Sequence, residues 1–275
     1  MPKKSRRTTL LAGGALLATV AFAAVAVGNA AAQDSAPESP SSAAQPRIVG
    51  GNVASLSDYP YAVYLADSSG NQYCGAVIVS SSAVATAAHC ALAVKASEAR
   101  VVAGRQDKRT SNGSEFRVSK VWVNPDYTDY TKGDDIAVLT VRGQLPYRPA
   151  KVADGSNADL YAEGTKATVL GWGRVEDGGA RSDVLRKAVV PIIGGSCASS
   201  YESYNAEIMT CAGYAQGGTD ACQGDSGGPL VVGDTLIGIV SYGDGCAKAG
   251  KPGVYTKVSA FAEDIRNQSR SRLLG

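Results

Sequence analysis

Methionine and phenylalanine are nearly missing, with 2 and 3 copies in 275 residues, whereas glycine supplies 32. Such a chain suits short strands joined by tight turns better than a helical bundle. It has one histidine and no C-x-x-C pair, too little for a zinc site of ordinary spacing. It also lacks a large charge excess. The formal +2 arises from residues 1–47, which hold five of the 27 basic and two of the 25 acidic residues. From Ile48 onward 22 basic residues face 23 acidic ones, a net charge of −1, so no nucleic-acid surface is implied. Nor is there an internal repeat. Only one apolar run approaches the length of a membrane span, from about Leu10 to Val27, and it is dominated by Ala and broken by Gly13-Gly14.

That run follows Lys3, Lys4, Arg6 and Arg7 and ends in the small residues Ala30-Ala31-Ala32. A basic cap, an apolar stretch and an A-x-A exit form the pattern of an export signal over 1–32, with a membrane anchor as the rival reading. Residues 33–47 are rich in Ser, Pro and Ala without apolar periodicity, as expected of a pro-segment with nothing to pack. Export gives meaning to the six cysteines: an even number in an oxidising compartment points to three disulfides, with the pairing left open by spacing.

From Ile48 the texture changes to short strand-like runs: Tyr61–Leu65, Ala76–Val79, Val118–Val123, Ile136–Val141, Ala167–Leu170, Leu230–Val232, Leu236–Ser241 and Gly253–Val258. Turn clusters such as Asp67-Ser68-Ser69-Gly70-Asn71 separate them. Many short strands with close turn signals predict an all-β sandwich or barrel. Only the end reads as helical, where Val258, Phe261 and Ile265 recur at spacings of three and four.

The most informative stretch is Asp220-Ala221-Cys222-Gln223-Gly224-Asp225-Ser226-Gly227-Gly228. Glycines around a serine let backbone N–H groups approach a substrate closely. Gly224–Gly228 also fits the G-x-S-x-G elbow of α/β-hydrolases, but those enzymes place histidine after serine. Here His89 precedes Ser226, and it is the only base of its kind for a hydroxyl nucleophile. A subtilisin-like order would need an acid before His89, which Asp58 or Asp67 could supply. That fold requires a parallel sheet with crossover helices, which the strand-and-turn texture does not offer.

The remaining order is His, Asp, Ser. His89 lies in Thr86-Ala87-Ala88-His89-Cys90, and an acid lies in Asp134-Asp135-Ile136-Ala137-Val138-Leu139. With Ile48-Val49-Gly50-Gly51 and the serine loop, these segments resemble the chymotrypsin/trypsin family of serine proteases, the trypsin branch in particular. The likeness spans Ile48 to Val258. It implies an all-β fold of two six-stranded antiparallel β-barrels, 48–155 and 156–275, with an α-helix at the C-terminus of the second. The family pattern selects Asp135 rather than Asp134 as the buried acid. By resemblance Ser226 attacks the scissile carbonyl, His89 carries the proton, Asp135 fixes the imidazole, and the N–H groups of Gly224 and Ser226 hold the oxyanion. The alternative is a non-catalytic binding protein that retains the fold.

Further positions follow from the same resemblance. Asp220 matches the acid at the base of the primary pocket, where a carboxylate attracts a substrate Arg or Lys. Ser241-Tyr242-Gly243 and Gly253 match the pocket walls, and Ser241 and Gly243 match the strand that pairs with the substrate backbone. Ala221 stands where trypsins commonly carry Ser, which removes a hydroxyl that helps solvate a lysine and favours arginine. Tyr242 replaces a usual Trp. The loop Gly104-Arg105-Gln106-Asp107-Lys108 has a base where animal trypsins carry a calcium-binding acid, which argues against calcium there; no cofactor or metal is expected. Cleavage after Arg47 would free the amine of Ile48 to pair with Asp225. The implied disulfides are Cys74–Cys90, Cys197–Cys211 and Cys222–Cys246. The expected molecule is a secreted, extracellular monomer without membrane association once processed. Its partners would be protein or peptide substrates and proteinaceous inhibitors, with no nucleic acid.

Overall fold

The computed structural model describes residues 48–194 and 196–270. The expected export signal (1–32), the pro-segment (33–47) and Arg47 lie outside the described residues. The strands are β1 (Asn52–Val53), β2 (Ala62–Ala66), β3 (Gln72–Ser80), β4 (Ala83–Thr86), β5 (Arg100–Ala103), β6 (Ser114–Val123), β7 (Ala137–Val141), β8 (Lys151–Val152), β9 (Lys166–Gly171), β10 (Arg186–Ile193), β11 (Met209–Ala212), β12 (Pro229–Val232), β13 (Thr235–Tyr242) and β14 (Gly253–Lys257). The α-helices are α1 (Ala88–Ala93), α2 (Ser196–Ser200) and α3 (Ala262–Ser269).

Strands β2, β3, β4, β7, β6 and β5 close into one barrel in that order. Strands β9, β10, β11, β14, β13 and β12 close into another, because β12 pairs back onto β9. Every pairing within the two barrels is antiparallel, so the architecture is the one the resemblance implies. The ends of the chain's halves cross over. β1 lies antiparallel on β10 and β8 runs parallel to β13, which attaches both short strands to the second barrel. Helix α3 returns to pack on β3, β4 and β7 of the first barrel, and Ser80 Oγ donates to the Ser269 carbonyl at 2.9 Å. Among the described residues no helix is long and apolar enough to cross a membrane.

The strands form where β-branched residues can be buried on both faces. In β3 the run Cys74–Ile78 is buried throughout, as is Leu236–Ser241 in β13. One face of each fills a barrel interior, and the other meets the neighbouring barrel or helix. Leu65, Ile78 and Leu139 in the first barrel and Leu170, Leu230 and Leu236 in the second are almost wholly excluded from solvent. Each such side chain contributes about 1.5–3 kcal/mol by leaving water. Truncating one, Leu230 for instance, would cost about 2–5 kcal/mol through the cavity it leaves.

The expectation that only the C-terminus is helical needs correction. Besides α3, which a 3-10 turn over Val258–Phe261 precedes, the chain forms α1 and α2. Helix α1 covers Ala88–Ala93, less than two turns, too few residues for an apolar period to show. The disulfides join Cys74 to Cys90, Cys197 to Cys211 and Cys222 to Cys246, the same pairs that the resemblance implies.

Two glycines set how closely the barrels meet. A Cβ on Gly75 would lie 2.8 Å from Gly228 Cα, so this approach requires a bare backbone. Through it the Gly75 N–H donates to the Ser226 carbonyl at 2.8 Å. Thr86 Oγ1 donates to the Gly75 carbonyl at 2.8 Å and sits where a side chain on Gly227 would collide with it. The loop that leads into His89 is thereby pressed against the turn that carries Ser226.

Candidate active site

His89 stands at the start of α1, fixed from both sides. Cys90 is tied to Cys74 on β3, and the His89 backbone N–H donates to Asp135 Oδ1 at 3.0 Å. The ring follows the backbone: His89 Nδ1 lies 2.8 Å from Asp135 Oδ2. Asp135 is fully buried just before β7 and takes a third contact from Ser241 Oγ at 2.6 Å. Its own carbonyl accepts from Thr256 Oγ1 at 2.7 Å. A buried carboxylate that accepts three hydrogen bonds is held in one orientation, and with it the face that the imidazole turns to the cleft. Asp134, by contrast, is only partly buried and has φ +54°.

His89 and Ser226 border one cleft of about 250 Å³, together with Asp220, Ala221, Ser241, Tyr242, Gly243 and Gly253. The size suits one long side chain. No hydrogen bond joins the His89 ring to the Ser226 hydroxyl among the described residues. That contact is commonly long in a free enzyme and shortens when substrate arrives. Asp220 is 4% exposed, and its burial pushes its carboxyl up to about 7. Its Oδ1 accepts from the Ala221 N–H at 2.7 Å. A side chain on Gly253 would approach that same oxygen within 2.6 Å, so glycine keeps the access to Asp220 open.

The serine loop is held from behind. Gly224 has φ +99°, a conformation that glycine adopts without steric cost. Asp225 is fully buried, accepts from the N–H groups of Gly173 (2.7 Å) and Cys222 (2.9 Å), and is pushed up to about 6 by desolvation. Side chains on Gly171 or Gly173 would collide with its carboxylate. Ile48 is completely buried, and its neighbour Val49 accepts at its carbonyl from the Asp220 N–H at 3.2 Å. The segment expected to become the N-terminus therefore already packs on the loop of the primary pocket.

Several contacts escape the sequence reading. Tyr130 is 43% exposed, with its ring 5.7 Å from that of His89 and 5.9 Å from that of Tyr242. The Ser241 hydroxyl, expected only beside a substrate strand, supports Asp135. Gln72 reaches the serine loop from β3, with Nε2 donating to the Gly224 carbonyl at 2.8 Å. No local motif marks Tyr130 or Gln72, whereas Ser241 at least falls in a segment already singled out.

As for metals, the one close group of His, Cys and acidic side chains among the described residues is Cys74, His89 and Cys90, and its sulfurs are consumed in a disulfide. At the loop before β6, the Arg105 guanidinium donates to the Asn112 carbonyl at 2.8 Å and to Glu115 at 3.0 Å.

Comparison with known proteins agrees with this geometry. The family model described as Trypsin matches residues 48–265. A protein named Trypsin from Saccharopolyspora erythraea is 42% identical over 222 residues, covering 80% of this chain and 97% of that protein. Trypsin eta from Drosophila melanogaster is 40% identical over 234 residues, covering 82% and 89%. Trypsin 5G1 from Aedes aegypti is 36% identical over 230 residues, covering 81% and 85%.

Proposed function

Because this chain belongs to the trypsin family of serine proteases, we propose that it is a secreted endopeptidase, made as a precursor, that cuts after arginine in preference to lysine. It is a serine endopeptidase, and its substrates are proteins or peptides. The observation that carries the finer reading is the 2.8 Å bond between His89 and Asp135, at the edge of a cleft that also holds Ser226 and the buried Asp220.

In this reading a substrate strand lies along Ser241–Gly243 and sends a cationic side chain toward Asp220. A buried carboxylate without a cationic partner among the described residues is the natural complement of a guanidinium, which can approach it with two parallel N–H groups. Ala221 offers no hydroxyl to a shorter ammonium, hence the preference for arginine. Ser226 Oγ attacks the carbonyl while His89 Nε2 takes the hydroxyl proton. Asp135 holds the Nδ1–H tautomer and stabilises the imidazolium that forms. The N–H groups of Gly224 and Ser226 receive the oxyanion, each donor being worth about 3–4 kcal/mol in the transition state. His89 then gives the proton to the leaving amine, and water resolves the acyl-enzyme by the same steps in reverse.

The precursor state follows from Asp225. Its carboxylate has two backbone donors but no ion pair among the described residues, and burial disfavours its charge. A cut after Arg47 would supply an ammonium at Ile48, whose side chain is already buried against the second barrel. Pairing the two stabilises the charged carboxylate and the loop that bears it. Since Arg47 is itself an arginine site, one enzyme molecule can activate another.

A peptide library treated with protein that starts at Ile48 tests the reading. Cleavage should fall after Arg, less often after Lys, and vanish in Ser226→Ala. Cleavage after aromatic or small residues would overturn the assignment of Asp220.

A further inference from the structure

The Gly224 N–H is aimed only as well as the two peptide planes that flank it. On one side the Gln223 carbonyl accepts from the Arg174 N–H at 2.8 Å. In a trans peptide the carbonyl and the following N–H point opposite ways, so this bond turns the Gly224 N–H away from Arg174. On the other side the Gly224 carbonyl accepts from Gln72 Nε2 at 2.8 Å, in a contact closed to solvent. Gln72 is 6% exposed and lies 152 positions away on the other barrel. Its amide is itself oriented, since Lys108 Nζ donates to Gln72 Oε1 at 3.1 Å. An ammonium has no acceptor, so Lys108 selects the amide rotamer that leaves the NH2 group facing Gly224. The Arg181 guanidinium bonds to the Gln72 carbonyl and borders Gly224, closing the same corner.

We propose that Gln72 is a positioning residue for peptide hydrolysis: from the first barrel, its amide pins the Gly224–Asp225 peptide and so keeps the oxyanion donor at Gly224 in line. The inference rests on the role given to Gly224 above. Glycine at φ +99° has little steric resistance to rotation of its peptides, so hydrogen bonds must hold them: inside the loop the Asp225 N–H donates to the Cys222 carbonyl at 2.9 Å, and from outside the Gln72 amide holds the Gly224 carbonyl. Without the Gln72 donor a buried carbonyl is left unsatisfied, and a loop that re-forms to turn it toward water or another donor shifts the neighbouring Gln223–Gly224 peptide, which carries the oxyanion N–H. The bond acts on the tetrahedral state rather than on the pocket that holds the cationic side chain.

Enzyme that starts at Ile48 is compared with Gln72→Met, which keeps the bulk, and with Gln72→Glu, which keeps the acceptor for Lys108 and removes the donor. For an arginyl amide substrate we expect kcat to fall about tenfold in both variants, with KM within about twofold of wild type. Affinity for a peptidyl arginine aldehyde, whose hemiacetal oxygen occupies the oxyanion site, should fall by the same factor. Affinity for benzamidine, which needs only the pocket, should stay within about twofold. Lys108→Met should reproduce the pattern at a smaller amplitude, and it carries the comparison if a Gln72 variant fails to fold. Unchanged kcat, or equal weakening of aldehyde and benzamidine, would overturn the proposal. An inactive wild-type enzyme would instead sink the assignment of Gly224 and Ser226, so the two failures are distinguishable.

Discussion

Two buried aspartates only five positions apart face opposite demands. Asp220 and Asp225 are both carboxyls whose burial favours the neutral form, raised to about 7 and about 6. A carboxyl whose folded pKa exceeds its unfolded value binds protons more tightly when folded. Stability is therefore greatest below about pH 4 as far as these groups are concerned, and it declines as pH rises from there through about 6 to 7. A cation placed beside either one reverses the trend. In the proposed function that cation for Asp220 is the ligand, which would bind the ionised form. The affinity of benzamidine should consequently rise steeply between about pH 5 and 7 and level off above that, with a larger thermal stabilisation at alkaline pH. A flat profile measured by calorimetry across this range would remove Asp220 from the binding site.

At the scale of elements, loops carry the chemistry and barrels hold them in place. The hairpin between β5 and β6 shows how side chains tie such a loop together. Arg105 ties the Asn112 carbonyl to Glu115, with the guanidinium largely covered and the carboxylate half exposed. Solvent screening limits the pair, and the bond to the exposed Asn112 carbonyl adds to it. Arg105→Ala should lower stability by about 1–2 kcal/mol, read as a fall in Tm. A chelator should leave the Tm of the wild-type protein where it is; a fall on chelation would show that this loop, or another, holds a metal.

The same scale explains what the amino-acid sequence discloses. Apolar runs such as those in β3, β7 and β13 are readable because β-branched residues crowd them. Strands β4 and β5, with four residues each, offer too little alternation, and β10 contains Pro191 with mixed burial. The residues whose chemistry depends on neighbours in sequence are also readable: His89 beside Cys90, Asp135 before Ile136, Ser226 among glycines. Gln72, Tyr130 and Thr256 are not, since their meaning arises only when β3 meets the serine loop, the turn at Tyr130 meets His89, and β14 meets the Asp135 carbonyl. The Gln72 contact joins segments that the chain separates by 152 positions, which no local pattern can record.

For the molecule as a whole, the interface between barrels is the working part. The bare contact of Gly75 with Gly228, the Thr86 packing on Gly227 and the Ser241 bond to Asp135 all cross or border it. Because both halves contribute to one site, an order–disorder change on one side can switch activity off without unfolding the other. Arg47→Gln, which removes the activating cut, should give a folded precursor with little hydrolysis of an arginyl ester. Restoring a cut there by a foreign protease site should restore hydrolysis. Full activity of the uncut variant would show that the Ile48 amine has no part in ordering the Asp225 loop.

The most direct test is mass spectrometry of the processed protein after treatment with an organophosphate. One adduct is expected, on the Ser226 hydroxyl, formed about 10³-fold or more slowly in His89→Ala and Asp135→Asn. A different modified residue, or labelling of Ser226 at the same rate in the absence of the His89 ring, would contradict it.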